Sequence, residues 1–302
     1  MPEAADEGRH TAADNPLWNE SWYFDFAAPD GSLGGYVRLG LYPNLGVAWY
    51  WAYVVRAGAP LLIVRNHEAP LPAGDNLELR DEGLWAQLVC ETPHEHWTVG
   101  LEAFAVALDD HRDALGHERG ERVALGFDLE WEAEAPPYDY PGASRYEQAC
   151  TVHGDVLIGT DTFQLQGWGE RDHSWGGRDW WRFGWCWTSF HLSDGTAFHA
   201  MRPLVDGTSY QPGFVVPPGG GLLTIPGFDV DTVHDADGLP ERAEMRIGAD
   251  TFTVTIAGHA PVPLSAPDGR TGRLARALCR YEAADGRTGW GWTEWNQPAQ
   301  SP

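Results

Sequence analysis

The chain has 302 residues, 43% of them hydrophobic and 21% charged, with 44 acidic against 20 basic side chains and a formal charge of −24. This composition suits one large or two medium soluble domains with an ample core, and it excludes extended disorder. The acidity disfavours nucleic acid and anionic membrane as partners, because both need a basic face. All the basic residues are Arg, with no Lys anywhere. Schiff-base chemistry, pyridoxal phosphate attachment and a Walker-type phosphate loop each need a lysine, so all three drop out.

The start of the chain, Met1 to Glu7, lacks a basic region followed by an apolar one, so no secretory signal is expected. No apolar run approaches the roughly 18 residues of a membrane span, and stable membrane insertion is not expected. Strand-like runs between turn signals follow at 35–41, 47–55, 97–108, 122–131, 147–158, 162–168, 185–192, 197–203, 243–247 and 251–257. The connectors are pairs such as Asp30-Gly31, Gly154-Asp155, Asp194-Gly195 and Asp285-Gly286, which tolerate turn dihedrals. Helical turns are expected only near 110–121 and 272–281. The fold class is therefore all-β and mostly antiparallel. The stretch Ala135-Pro136-Pro137-Tyr138-Asp139-Tyr140-Pro141-Gly142 reads as a linker between domains at 15–140 and 145–298. Cys90, Cys150, Cys186 and Cys279 form no C-x-x-C, so neither a zinc ribbon nor a redox dithiol is suggested, and free thiols in the cytoplasm are the simplest expectation.

The segment from Gln166 to Trp181 carries four Trp and four Gly among Glu170, Arg171, Asp172, His173, Arg178 and Asp179. An ordinary loop has little use for the indoles, and an ordinary core little use for the charges. Such a mixture suits a partly buried polar site with an aromatic wall. The string Gly167-x-Gly169-x-Arg171-Asp172-His173-Ser174-Trp175-Gly176-x-Arg178-x-Trp180 resembles the signature of the hydroxyneurosporene synthase (carotenoid 1,2-hydratase)/AttH-like family. Asn19 to Phe24, Gly34 to Arg38, Tyr146-Glu147-Gln148 and Gly291 to Asn296 fit as well. The resemblance implies two packed calycin (lipocalin-like) β-barrels. It also implies hydration of an isolated alkene without a cofactor, or cyclisation of a polyene or polyketide. One departure stands out. Where the carotenoid enzymes would place Tyr and Asp on a following strand, residues 196–202 offer His199 and Arg202 instead.

Protonating an alkene, or dehydrating a tertiary alcohol, needs an acid, a dry pocket and a partner for the developing cation. Asp172 is the first candidate acid and Glu170 the second, since an apolar site can keep a carboxyl neutral. His173 could relay the proton. The indoles of Trp175 and Trp180 would face a cation, and Arg171 or Arg178 would hold a carboxylate or phosphate. His199, Trp51 and Trp292 complete the candidate substrate contacts. A scaffold reading competes: Arg171 and Asp172 could pair to hold a tight turn, with Gly167, Gly169, Gly176 and Gly177 supplying its dihedrals. In an extended strand, Asp172 and Ser174 would face one way and Arg171, His173 and Trp175 the other.

Elsewhere, His94-Glu95-His96 lacks a clear third ligand, so no metal is expected. There is no G-x-S-x-G and no G-x-G-x-x-G after a strand, so neither a nucleophile elbow nor a dinucleotide is expected. The reading is a cofactor-independent hydratase, dehydratase or isomerase for a small lipophilic, terpenoid or steroid-like substrate. A non-catalytic carrier of a similar ligand, and a cyclase, are the alternatives.

Overall fold

A computed structural model describes residues 1–116 and 118–299. Eleven strands build the first sheet: β1 (Trp18–Ala27), β2 (Leu33–Tyr42), β3 (Val47–Arg56), β4 (Leu61–Ala69), β5 (Leu77–Asp81), β6 (Leu84–Thr92), β7 (His96–Leu108), β8 (Glu121–Ala133), β9 (Tyr138–Asp139), β10 (Arg145–Ile158) and β11 (Asp161–Gly177). Ten build the second: β12 (Trp185–Leu192), β13 (Ala197–Pro203), β14 (Gly213–Val216), β15 (Leu223–Thr224), β16 (Phe228–His234), β17 (Pro240–Ile247), β18 (Asp250–His259), β19 (Val262–Ser265), β20 (Thr271–Ala283) and β21 (Thr288–Pro298). No helix among the described residues is long and apolar enough to cross a membrane.

The order of the first sheet is β4-β3-β2-β1-β11-β10-β8-β7-β6-β5. The end of β7 also pairs with β4, from Leu61 opposite Leu108, and this closes the sheet into a ring. The second sheet runs β15-β14-β13-β12-β21-β20-β18-β17-β16. It curls until Arg202 of β13 donates to the Phe228 carbonyl of β16 at 3.1 Å.

Period-two alternation gives each sheet an inner and an outer face. Trp22, Phe24, Val37, Leu39 and Trp131 fill the ring. Phe190, Phe198, Phe252 and Tyr281 fill the curl of the second sheet. The outer faces meet through Tyr36, Trp51, Tyr53, Trp187, Leu278 and Trp292. Removing a fully buried indole such as Trp292 costs about 3–5 kcal/mol, so this aromatic layer holds the two sheets together.

Two expectations need correction. The Pro-rich stretch does not separate the sheets: β9 lies within it and pairs with β10, and both belong to the ring. β10 and β11 complete that ring, so the sheets divide at 178–184, where the motif's last residues lie. The stretch 272–281 is strand rather than helix. Leu274 and Leu278 face the ring while Ala275, Ala277 and Cys279 face the second core, a period of two. Near 110–121 a short 3-10 turn, His111–Leu115, does form.

Candidate active site

The motif lies on β11 as far as Gly177, in one continuous strand, and its last residues, Arg178 to Trp181, leave the strand and enter a turn. Gly176 has room for a side chain but takes a positive φ of 119°, as a glycine supplying an unusual dihedral would, whereas Gly167 and Gly169 answer to crowding. A Cβ on Gly169 would lie 1.9 Å from the Asp25 carbonyl oxygen, and one on Gly167 would lie 2.3 Å from that of Ala27. β1 presses on β11 where a side chain has no room.

Alternation splits the motif into two faces with different partners. On one face Arg171 donates to both oxygens of Glu7, at 2.7 and 3.0 Å. Tyr146 donates its hydroxyl to Glu7 at 2.6 Å. Burial would raise the Glu7 carboxyl, but the Arg171 guanidinium and these hydrogen bonds hold it below its ordinary value. His173 contacts the Asp6 carbonyl at 2.6 Å and Glu20 at 3.0 Å, and stacks on Trp22 at 4.4 Å. Glu20 also accepts the His10 backbone N–H at 2.9 Å, and the His10 ring stacks on Trp175 at 3.9 Å. Arg171 and His173 thus fasten the N-terminal 3-10 turn, Ala4–Glu7, across one end of the ring. This face carries the scaffold reading, through long-range ion pairs rather than a turn.

The other face looks toward the second sheet. Asp172 accepts from Arg145 at 3.0 Å, and the same guanidinium donates through Nε to Glu147 at 2.6 Å. Glu147 stands opposite Asp172 in the β10–β11 register. Trp187 of β12 donates its indole N–H to Glu147 at 3.2 Å. Glu170 Oε1 lies 2.6 Å from His199 Nδ1 of β13. The two atoms are close, but neither completes a hydrogen bond, so the carboxyl and the imidazole are both left with an unused polar atom in a buried place. His199 Nε2 lies 2.5 Å from the Tyr140 hydroxyl. A turn places Tyr140 there: its N–H donates to the Arg145 carbonyl at 2.9 Å.

This row is dry. Glu147 and His199 are fully buried and Glu170 is 1% exposed. Burial pushes the Glu147 and Glu170 carboxyls well above the ordinary range, and neighbouring carboxyls add to it. It pushes His199 down to about 4, so the imidazole is neutral at pH 7. It also raises the Tyr140 hydroxyl well above its usual value. Behind the row, Asp25 accepts the Glu170 N–H at 2.8 Å and the Tyr23 hydroxyl at 2.9 Å, and burial lifts its carboxyl to about 7. Glu147, Glu170 and His199 present ligating atoms within 4.8 Å of one another, as do His10, Glu20 and His173. A cation could be held there, but Arg145 already supplies a positive charge to Glu147. In either protonation state the row can hold and pass a proton.

A cleft of about 540 Å³ borders the row where Tyr140, Arg145 and Trp187 line it together with Arg178, Trp180 and Met201. A larger cleft of about 620 Å³, lined by His234, Arg273 and Gln297, lies apart from these groups.

The sequence candidates therefore divide. Glu170, Asp172 and His199 meet in the buried row, although the Arg145 pair makes Asp172 less suited than Glu170 to be the acid. Trp175, Arg178 and Trp180 line the cleft. Arg171 and His173 sit under the N-terminal turn. Trp51 and Trp292 are buried between the sheets, donating to His67 at 2.7 Å and to the Phe26 carbonyl at 3.0 Å, and neither lines the cleft. His94 turns toward Glu7 and His96 toward Glu130, each at 2.9 Å. Tyr140, Arg145 and Glu147 are functional candidates that sequence reasoning missed. The available signal was the spacing of Arg145 and Glu147 at i and i+2, which an extended strand puts on one face.

A family profile described as "Domain of unknown function (DUF7064)" matches residues 3–299. A search among curated proteins finds no match. Among solved structures, an AttH-type protein of Nitrosomonas europaea is similar, with TM-score 0.64 and 13% identity over 98% of this chain and 96% of that one. CghA is similar with TM-score 0.60 and 13% identity, covering 95% and 90%. Kievitone hydratase of Nectria haematococca has TM-score 0.57 and 11% identity, covering 94% and 90%. The chain shares their double-calycin fold.

Proposed function

We propose, for a chain that belongs to the DUF7064 family over residues 3–299, a cofactor-independent enzyme that moves a proton to or from carbon on a small lipophilic molecule. The reaction class is hydration, dehydration or isomerisation at a C=C bond or tertiary alcohol. One observation carries this reading: Tyr140, His199, Glu170 and Glu147 form a buried row that ends at the cleft. Kievitone hydratase, whose name records a hydration, supports it through its shared fold.

In a hydration, the Tyr140 hydroxyl gives its proton to one alkene carbon. His199 replaces it from Nε2 and takes the Glu170 proton at Nδ1. Water adds to the other carbon, and its surplus proton returns along the same row to Glu170. The net change is addition of water, with every protein group restored. Such a positioned relay contributes about 10²–10⁴-fold. The indole faces of Trp180 and Trp187 stabilise the intermediate cation through the ring quadrupole. Arg145, held between Asp172 and Glu147, fixes the carboxyls in place. The Trp-lined cleft supports a lipophilic skeleton, and its volume falls within the common range for small ligands. The motif's resemblance to the carotenoid hydratases supports a terpenoid or steroid-like one.

A carrier is the second reading. The Arg145–Asp172 pair favours it, because it removes one carboxylate from acid service. The test is a ligand screen by mass spectrometry in heavy water. Deuterium taken up at carbon, lost in Glu170→Gln while ligand is still retained, supports the enzyme. Ligand retained by the wild-type protein without deuterium uptake or mass change sinks it in favour of the carrier.

A further inference from the structure

The charge of the cleft is opposite to that of the molecule. The chain carries a formal −24, yet the titratable groups that line the cleft with a full charge are Arg145, Arg178, Arg182 and one acid, Asp179. Asp179 is already engaged by Arg270 Nη1, at 2.8 and 2.9 Å from its two oxygens. Arg145 is engaged by Asp172 and Glu147. Neither Arg178 nor Arg182 makes a side-chain hydrogen bond or ion pair among the described residues; Arg182 is exposed to water, which solvates it, whereas Arg178 is half-buried. Arg178 is desolvated, and Arg145 and Arg38 repel it, which brings it down to about 10. A cation kept in such a place, attracted by Asp172 but not in contact with it, lacks its counter-ion.

The apolar part of the cleft lies alongside. Trp180, Phe183 and Trp185 line it with Arg178. Phe183 is 39% exposed, and the adjoining Leu204 and Val205 are 48% and 45% exposed. Leu204 is tied to this rim, since its N–H donates to the Gly184 carbonyl at 2.7 Å. Large apolar side chains grouped at a pocket mouth mark a ligand surface.

We propose that the cleft receives an amphiphilic anion: one anionic oxygen group, a carboxylate or acidic enol, seated on Arg178, with an aromatic or polyene body against Trp180, Phe183 and Trp185. This deepens the proton-transfer reading by naming its substrate class. It would place the ionised end of the substrate at Arg178, and the carbon to be protonated beside Tyr140. Bidentate pairing of a planar guanidinium with a planar anion supplies orientation as well as affinity.

The test uses the full chain and two dyes of matched skeleton, anionic anilinonaphthalene sulfonate and neutral N-phenylnaphthylamine. The wild-type protein is expected to prefer the anion, with an affinity that falls as salt rises. Arg178→Gln should weaken the anionic dye about tenfold or more and leave the neutral dye within about twofold. Its retained neutral-dye binding also serves as the check that the variant is folded. Arg178→Lys, which keeps the charge but not the fork, should recover part of the loss. Trp180→Ala should weaken both dyes. Equal binding of the two dyes by the wild-type protein overturns the proposal, as does an Arg178→Gln variant that holds the anion unchanged. The readout is binding without turnover, so its failure is separate from a failure to find deuterium uptake.

Discussion

The Tyr140 hydroxyl and His199 Nε2 lie 2.5 Å apart across 59 residues of sequence, one from the ring and one from the second sheet. The pair joins a group that borders the cleft to an imidazole that is sealed from solvent. Tyr140→Phe removes only the oxygen. Loss of the hydrogen bond should cost about 1 kcal/mol of stability, whereas the proton-transfer rate should fall about 10²–10⁴-fold with little change in KM. Steady-state kinetics or the rate of deuterium uptake measures it. A rate equal to wild type removes Tyr140 from the relay.

Asp25 gives a pH dependence with a definite sign. Its folded carboxyl titrates at about 7 against an ordinary value of 3.8. Between those values the folded state holds a proton that the unfolded state has released. Its contribution to stability is therefore full below 3.8 and is lost as pH rises toward 7, with a slope of about 1.4 kcal/mol per pH unit at most. Asp25→Asn should flatten that part of the stability curve. Urea unfolding of both proteins at intervals from pH 4 to 8 measures the difference, and parallel curves would count against the desolvated carboxyl.

Arg171 should matter for stability rather than for chemistry. Arg171→Ala leaves the Glu7 carboxylate buried without its cation, at a cost of about 3–5 kcal/mol. Replacing both, Glu7→Gln with Arg171→Met, should cost clearly less, because no charge is stranded. The comparison is one of unfolding midpoints. If the single and double variants are equally destabilised, the pair is not what fastens the N-terminal turn.

Gly169→Ala tests the closeness of β1 and β11. The new methyl meets a backbone carbonyl, which cannot swing aside as a flexible side chain could, so the strands must part. The expected loss is about 1–3 kcal/mol, seen as a lower melting temperature. Because Asp25 accepts the Glu170 N–H across this same gap, turnover should fall with it. A variant that melts like wild type contradicts the crowding.

The strands were legible because inward and outward residues alternate, as in Thr251 to Ile256, and because Asp-Gly pairs mark the turns. The face of β11 that carries the chemistry was not, since alternation separates Asp172 from His173 without saying what lies opposite each. That depends on an N-terminal segment folding back onto one face and a second sheet docking on the other. Tyr140 looked like part of a linker because Pro136, Pro137 and Pro141 surround it; only the β9–β10 pairing turns it toward His199. Residues 272–281 mimic a helix because Leu, Ala and Arg favour one, yet tertiary packing on both faces makes them a strand.

The pairing of β1 with β11 also sets a waiting time during synthesis. Trp18 lies opposite Gly177, so the ring cannot close until the chain has grown past that glycine. At ordinary elongation speeds of about 5–20 residues per second, this takes roughly 10–35 s. For the part of that interval after β3 is made, at Arg56, the aromatic strands β1 to β3 have a free edge and no β11 to cover it. Such an edge is a template for unwanted pairing, and it stays one until the eleventh strand arrives to cover it.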